Sequence, residues 1–111
     1  MVQDGGGIQV GSRVSVADSW WGRFRGLLAR PRIQEGDGLL LLKCGSVHTV
    51  GMAYSIDVAF LDAEGKVVRS IPRLGPWRVG LGGPEAVHTL ELPAGRLIET
   101  GIVPGARLSW S

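Results

Sequence analysis

The chain has 111 residues, 44% of them hydrophobic and 20% charged, with 12 Lys and Arg against 10 Asp and Glu. That length gives one domain with room for a single hydrophobic core and excludes a multidomain machine, while the composition excludes a disordered chain. A net charge of +2 is too small an excess to imply nucleic acid, whose binding modules concentrate a basic face.

Residues 1–7, with three consecutive glycines, read as a flexible tail ahead of a single β domain over 8–111, because glycine loses the most entropy on ordering. They lack the basic stretch and apolar run of a secretory signal. Ile8, Val10, Val14 and Val16 then alternate with Gln9, Gly11, Arg13 and Ser15, the period-two pattern of a half-buried strand or hairpin arm. One amphipathic helix is predicted from Asp18 or Ser19 as N-cap to Arg30 before Pro31, with Trp20, Trp21, Phe24, Leu27 and Leu28 in one arc. Leu39 to Lys43, after the turn Gly36-Asp37-Gly38, is apolar on both faces and predicts a central strand. Ile56 to Leu61, the turn Asp62-Ala63-Glu64-Gly65 and Lys66 to Ile71 make a hairpin. Pro72 to Pro84, with its prolines and glycines, reads as a long loop.

Ala86 to Leu92 alternates His88, Leu90 and Leu92 on one face with Val87, Thr89 and Glu91 on the other. Arg96 to Thr100 forms a helical turn closed by Gly101, and Ala106 to Trp110 is the last strand. About six to eight short strands without βα alternation predict a mainly β fold, a sandwich or partly closed barrel with one N-terminal amphipathic helix. Its expected core combines Trp20, Phe24, Leu27, Leu40, Leu42, Ile56, Val58, Phe60, Leu90, Leu92 and Trp110. The longest wholly apolar runs, such as Leu39 to Leu42, are far short of a membrane span. The single cysteine, Cys44, closes no intrachain disulfide, so the fold does not depend on an oxidising compartment. The expectation is a cytoplasmic protein without membrane contact, a monomer or weak dimer.

Polar and sulfur-bearing residues gather from Cys44 to Met52. Four residues of extended strand put Cys44 and His48 about 13 Å apart, too far for one zinc without a fold-back at Gly45, so neither metal nor cofactor is expected. A nucleophilic Cys44 is disfavoured by the apolar run beside it, and His88 reads as a hydrogen-bonded core histidine. His48 is either a hydrogen-bonded strand-end residue or the polar tip of a ligand pocket. Asp57 lies on an apolar strand and must reach water, bond a loop or serve a site; Arg78 is a natural donor to it. Trp77 beside Arg78 either caps one end of the core or stacks on a ligand. Arg23, Arg25 and Arg30, with Arg32 beyond, read first as a solvated helix face and second as an anion or nucleic-acid site. No phosphate loop, dinucleotide fingerprint, nucleophile elbow or closely spaced acid pair is present.

An ordered set of motifs resembles the domain-of-unknown-function family 192: Arg23-Phe24-Arg25-Gly26-Leu27-Leu28-Ala29-Arg30, Val47-His48-Thr49-Val50-Gly51-Met52, Ile56-Asp57-Val58-Ala59-Phe60-Leu61-Asp62, Pro76-Trp77-Arg78, Leu90-Glu91-Leu92-Pro93-Ala94-Gly95 and Gly101-Ile102. The resemblance covers about residues 14–110 and implies a sandwich-type β domain with an N-terminal helix. It implies no activity and carries over no catalytic residue. Many members, often exported ones, have Trp-Met where this chain has His48-Thr49 and proline at Ser55, so the chain resembles the shorter, unexported branch; members also commonly carry an aspartate where this chain has Ala106.

No nucleophile has an evident base and orienter, which favours a non-catalytic binding or accessory module, for a small polar ligand or a protein partner, over an enzyme. His48 and Thr49, Asp57, and Trp77 with Arg78 are expected to line one shallow polar cleft, because apolar alternation fails from Cys44 to Met52 and from Gly75 to Gly83, and Asp57 follows the first stretch closely and needs a donor that Arg78 could provide. The alternatives are an enzyme using His48, Asp57 and Arg78, and weak nucleic-acid binding through Arg23, Arg25 and Arg30.

Overall fold

The computed structural model describes residues 2–5, 9–11, 13–17, 37–49 and 54–110. The helix expected from Asp18 to Arg30 lies outside them, and with it Arg23, Arg25 and Arg30 and the core candidates Trp20, Phe24 and Leu27. Three strands come first: β1 (Val2–Asp4), β2 (Gln9–Gly11) and β3 (Arg13–Ala17). Seven more follow: β4 (Asp37–Leu41), β5 (Ser46–His48), β6 (Ile56–Leu61), β7 (Val67–Leu74), β8 (Val79–Leu81), β9 (His88–Pro93) and β10 (Leu108–Trp110). A short helix, α1 (Arg96–Thr100), precedes β10.

The chain is mainly β. Its central sheet has the order β3-β4-β9-β6-β7, flanked by a three-stranded sheet β10-β1-β2 and a two-stranded ribbon β5-β8. Within the central sheet β4, β9, β6 and β7 pair antiparallel, and β3 joins β4 in parallel. That sheet ends in β3 on one side and β7 on the other, so it is open; the partly closed barrel expected from the sequence does not form.

Both faces of the sheet are covered, which explains why the six residues of β6 are all buried. Leu40, Ala59, Leu61, Leu90 and Leu92 form one face with Leu97, Ile102 and Leu108 above them. Leu39, Leu41, Ile56, Val58 and Phe60 form the other, with Cys44, Val47 and Leu74. Six expected core residues, Leu40, Ile56, Val58, Phe60, Leu90 and Leu92, are buried, whereas Leu42 and Trp110 pack on the first face only in part.

Two expectations need correction. Val2–Asp4, expected in a flexible tail, pairs with β10 and β2 as a strand. The proline- and glycine-rich stretch expected as a loop contains the end of β7 and all of β8. Pro72 is tolerated because, among the described strands, β7 lies at the sheet edge and pairs only with β6. Gly80 serves a close approach: a Cβ there would stand 3.0 Å from Ile71 Cδ1 and 3.3 Å from Val47 Cγ1.

The hairpin turn between β6 and β7 follows from Asp62. Its Oδ1 accepts the amides of Glu64 at 2.9 Å and Lys66 at 3.0 Å, and the bond from Lys66 leads the causes that hold its carboxyl below the usual range. Gly65 completes the turn at φ 85°, where a Cβ would meet the Leu108 carbonyl oxygen at 2.4 Å.

Candidate functional site

The five residues expected to share a cleft fall on two sides of the central sheet. Asp57 is fully buried on the face under α1. Its Oδ2 accepts the Leu97 amide at 2.8 Å and its Oδ1 the Arg73 amide at 2.9 Å. The donors are therefore backbone amides and not the Arg78 guanidinium. One bond holds the first turn of α1, and the other holds β7 where Arg73 adopts a positive φ of 54°.

The other four converge on the ribbon, which lies over the opposite face. Val47 points down into that face's apolar cluster, so Ser46 and His48, its neighbours on β5, are exposed. The register sets His48 opposite Val79, Val47 opposite Gly80 and Ser46 opposite Leu81. Thr49 is the fastener. Its amide donates to the Arg78 carbonyl at 2.8 Å, its carbonyl accepts the Trp77 amide at 3.0 Å, and its hydroxyl donates to the Gly75 carbonyl at 2.6 Å while accepting the Arg78 amide at 2.8 Å. A fully buried threonine side chain thus fixes the turn from Gly75 to Arg78.

That turn presents Trp77 outward at φ 59° with 69% of its surface exposed, so it does not cap the core. A bulky residue at positive φ is strained, and strain of this kind persists only where surrounding bonds impose it. Val79 at 65% and Leu81 at 60% continue the same exposed side of β8. Arg78 is exposed beside them.

Sequence reasoning did not single out Glu91. It is fully buried on the face beneath the ribbon, between Leu39 of β4 and Val58 of β6, and neither carboxyl oxygen has a hydrogen-bond partner among the described residues. Burial pushes its pKa up to about 8. The available signal was an acid flanked by Leu90 and Leu92 in a strand that the central sheet covers on both sides.

Among the described residues no group of three or more His, Cys, Asp and Glu could hold a metal. Cys44 is buried and donates its thiol to the Ser46 carbonyl, while its own carbonyl accepts the Thr89 hydroxyl at 2.7 Å. His88 Nδ1 accepts the Lys43 amide at 3.0 Å and its ring meets Trp110 edge-on, with centroids 5.8 Å apart. No helix among the described residues is long and apolar enough to cross a membrane.

Comparison with known proteins agrees with this geometry at the level of family and fold. A UPF0127 protein from Pyrococcus furiosus is 32% identical over 108 residues, covering 95% of this chain and 92% of that protein. Another from Thermococcus sibiricus is 32% identical over 102 residues, covering 88% of this chain; the match spans 66% of that relative's own length. Among solved structures, a protein of unknown function from Novosphingobium aromaticivorans superposes with a TM-score of 0.78 at 17% identity, covering 87% of this chain and 74% of the other. A structure described as a "putative transcription regulator" from Sinorhizobium meliloti superposes with a TM-score of 0.77 at 22% identity, over 86% and 79% of the two chains. The DUF192 family model, described as an uncharacterized ACR, matches residues 2–110, and the chain belongs to that family.

Proposed function

We propose that this chain is a non-catalytic binding module whose recognition surface is the outward face of the β5–β8 ribbon, and that its partner is a protein. The observation that carries this reading is the row of Trp77, Val79 and Leu81, each at least 60% exposed. Single exposed apolar residues are ordinary, but a contiguous group on one ribbon marks an interaction surface. Two features support function over accident. Thr49 spends three backbone partners on holding the turn that presents Trp77. The backbone there is strained, and strain concentrates where a side chain must be aimed. The apolar character of the row favours a protein over a small polar ligand, which would need a concave, polar-tipped pocket.

The enzyme alternative built on His48, Asp57 and Arg78 loses its acid, because Asp57 faces α1 across the sheet and bonds two amides there. Selection from a displayed random-peptide library tests the proposal with the intact chain and a Trp77→Ser, Leu81→Ser variant. Binders enriched on the intact chain and lost on the variant are expected. Binders retained equally by both, or no enrichment, would sink the proposal.

A further inference from the structure

We infer that the ribbon takes an extended acidic peptide segment, which adds to the open edge of β8 as a further strand; this rests on reading the ribbon as the recognition surface. The first ground is the hydrogen-bond direction of β8. Arg78 C=O bonds the Thr49 amide, and the Gly82 amide bonds the Gly45 carbonyl, so these even-numbered positions face β5. In an antiparallel strand the intervening residues aim their main-chain groups the other way. Val79 therefore presents its amide and carbonyl, and Leu81 its amide, at an edge to which no strand is paired among the described residues, the Leu81 carbonyl accepting the Arg69 guanidinium.

The second ground is charge. From Val67 to Pro84 the chain carries Arg69, Arg73 and Arg78 and not one acid. All three are exposed, but the Arg73 guanidinium lies toward Gly95 at the start of α1, so Arg69 and Arg78 are the two that serve the ribbon. Arg69 Nη1 donates to the Leu81 carbonyl at 2.7 Å, which sets a positive charge on the open edge itself. The third ground is spacing. Trp77, Val79 and Leu81 recur at every second residue, the repeat of side chains along an extended peptide. A partner strand with alternating apolar and acidic residues meets all three features: its backbone pairs with the edge, its apolar side packs on the row, and its carboxylates meet Arg69 and Arg78.

Two other surfaces fit less well. A lipid bilayer offers the amides of an open strand edge no acceptor in its interior. Single-stranded nucleic acid uses successive aromatic platforms, whereas this row has one Trp followed by two aliphatic residues.

The test uses a synthetic decapeptide of alternating Glu and Val, followed by amide chemical shifts and hydrogen exchange in the intact chain. Binding that protects the Val79 and Leu81 amides and weakens as salt is raised is expected. N-methylation of alternate peptide amides, which removes the edge-pairing donors, should weaken binding at least tenfold without any change to the protein. Replacing Glu by Lys in the peptide should do the same. Val79→Pro removes one edge donor while leaving the β5 side intact, and should lose the peptide with little change in melting temperature. Peptide binding insensitive to N-methylation overturns strand addition but leaves the ribbon as the surface. Stronger binding to phosphatidylglycerol vesicles or to oligothymidylate, or no peptide binding, overturns the acidic-peptide partner. Peptide binding unchanged by Trp77→Ser with Leu81→Ser overturns the ribbon reading itself.

Discussion

Glu91 is an acid without a hydrogen-bond partner among the described residues, inside an apolar face, and its protonation couples directly to folding. The folded chain keeps the proton up to about pH 8, whereas the unfolded chain releases it near the ordinary 4.5. Below 4.5 both states are protonated, so the carboxyl imposes no charge penalty. Between that value and pH 8 only the unfolded state ionises, and stability falls by about 1.4 kcal/mol per pH unit. Above pH 8 the folded state ionises too and the slope vanishes. Glu91→Gln mimics the protonated acid, so it should match the parent in mild acid and exceed it by a margin that widens toward pH 8. Denaturant titrations of both proteins across that range check this, and parallel stability curves would contradict it. His88 acts in the opposite direction: burial lowers its pKa from 6.5, so its contribution is present above that value and is lost as pH falls. The substitution at Glu91 leaves that acid-side loss in place.

At the scale of elements, α1 has five residues, too few to stand as a helix without tertiary support. Gly95 at its N-cap makes no side-chain capping bond, and the Asp57 carboxylate, 40 residues earlier, supplies the acceptor for Leu97. Asp57→Ala strands two amides at once and should cost about 3 kcal/mol or more, with hydrogen exchange rising at Leu97 and Arg73. The β6–β7 hairpin has a steric constraint of its own. Gly65→Ala combines a positive φ with the Leu108 carbonyl at 2.4 Å from the added Cβ, and should destabilise by more than about 1 kcal/mol in thermal melts. The Gly75–Arg78 turn is fastened by Thr49, through its hydroxyl and its own amide and carbonyl. Thr49→Val leaves the Arg78 amide without its side-chain acceptor and should cost about 1–3 kcal/mol, with peptide binding at the ribbon weakened alongside.

For the whole molecule, the residues that hold the fold and the row proposed for recognition sit on separate surfaces. Both clusters that hold the central sheet are buried, whereas Trp77 contributes little burial and carries a strained backbone. Trp77→Asn places a residue that tolerates positive φ at that position. The variant should melt at or above the parent temperature while losing binding at the ribbon; a marked fall in melting temperature would show that the indole supports the fold.

Period-two alternation and turn chemistry are local properties, so the sequence alone was enough to locate β4, the β6–β7 hairpin, β9, β10 and the α1 turn closed by Gly101. The order of strands in the sheet is non-local. Placing β9 between β4 and β6 buries its second face as well as its first, which is why an alternating Thr89 and Glu91 ended inside and not in water. The same placement turned Asp57 toward α1 and away from His48 and Arg78, separating residues that chain proximity had grouped. Only Thr49 with Trp77 and Arg78, and His48 beside Val79, were joined by pairing. A proline- and glycine-rich composition predicts turns but does not reveal that Pro72 lies on an edge strand or that Gly80 must let the ribbon settle on Ile71. Those assignments depend on which surfaces meet, and the tertiary structure decides that because burial is a property of pairs of elements and not of either one.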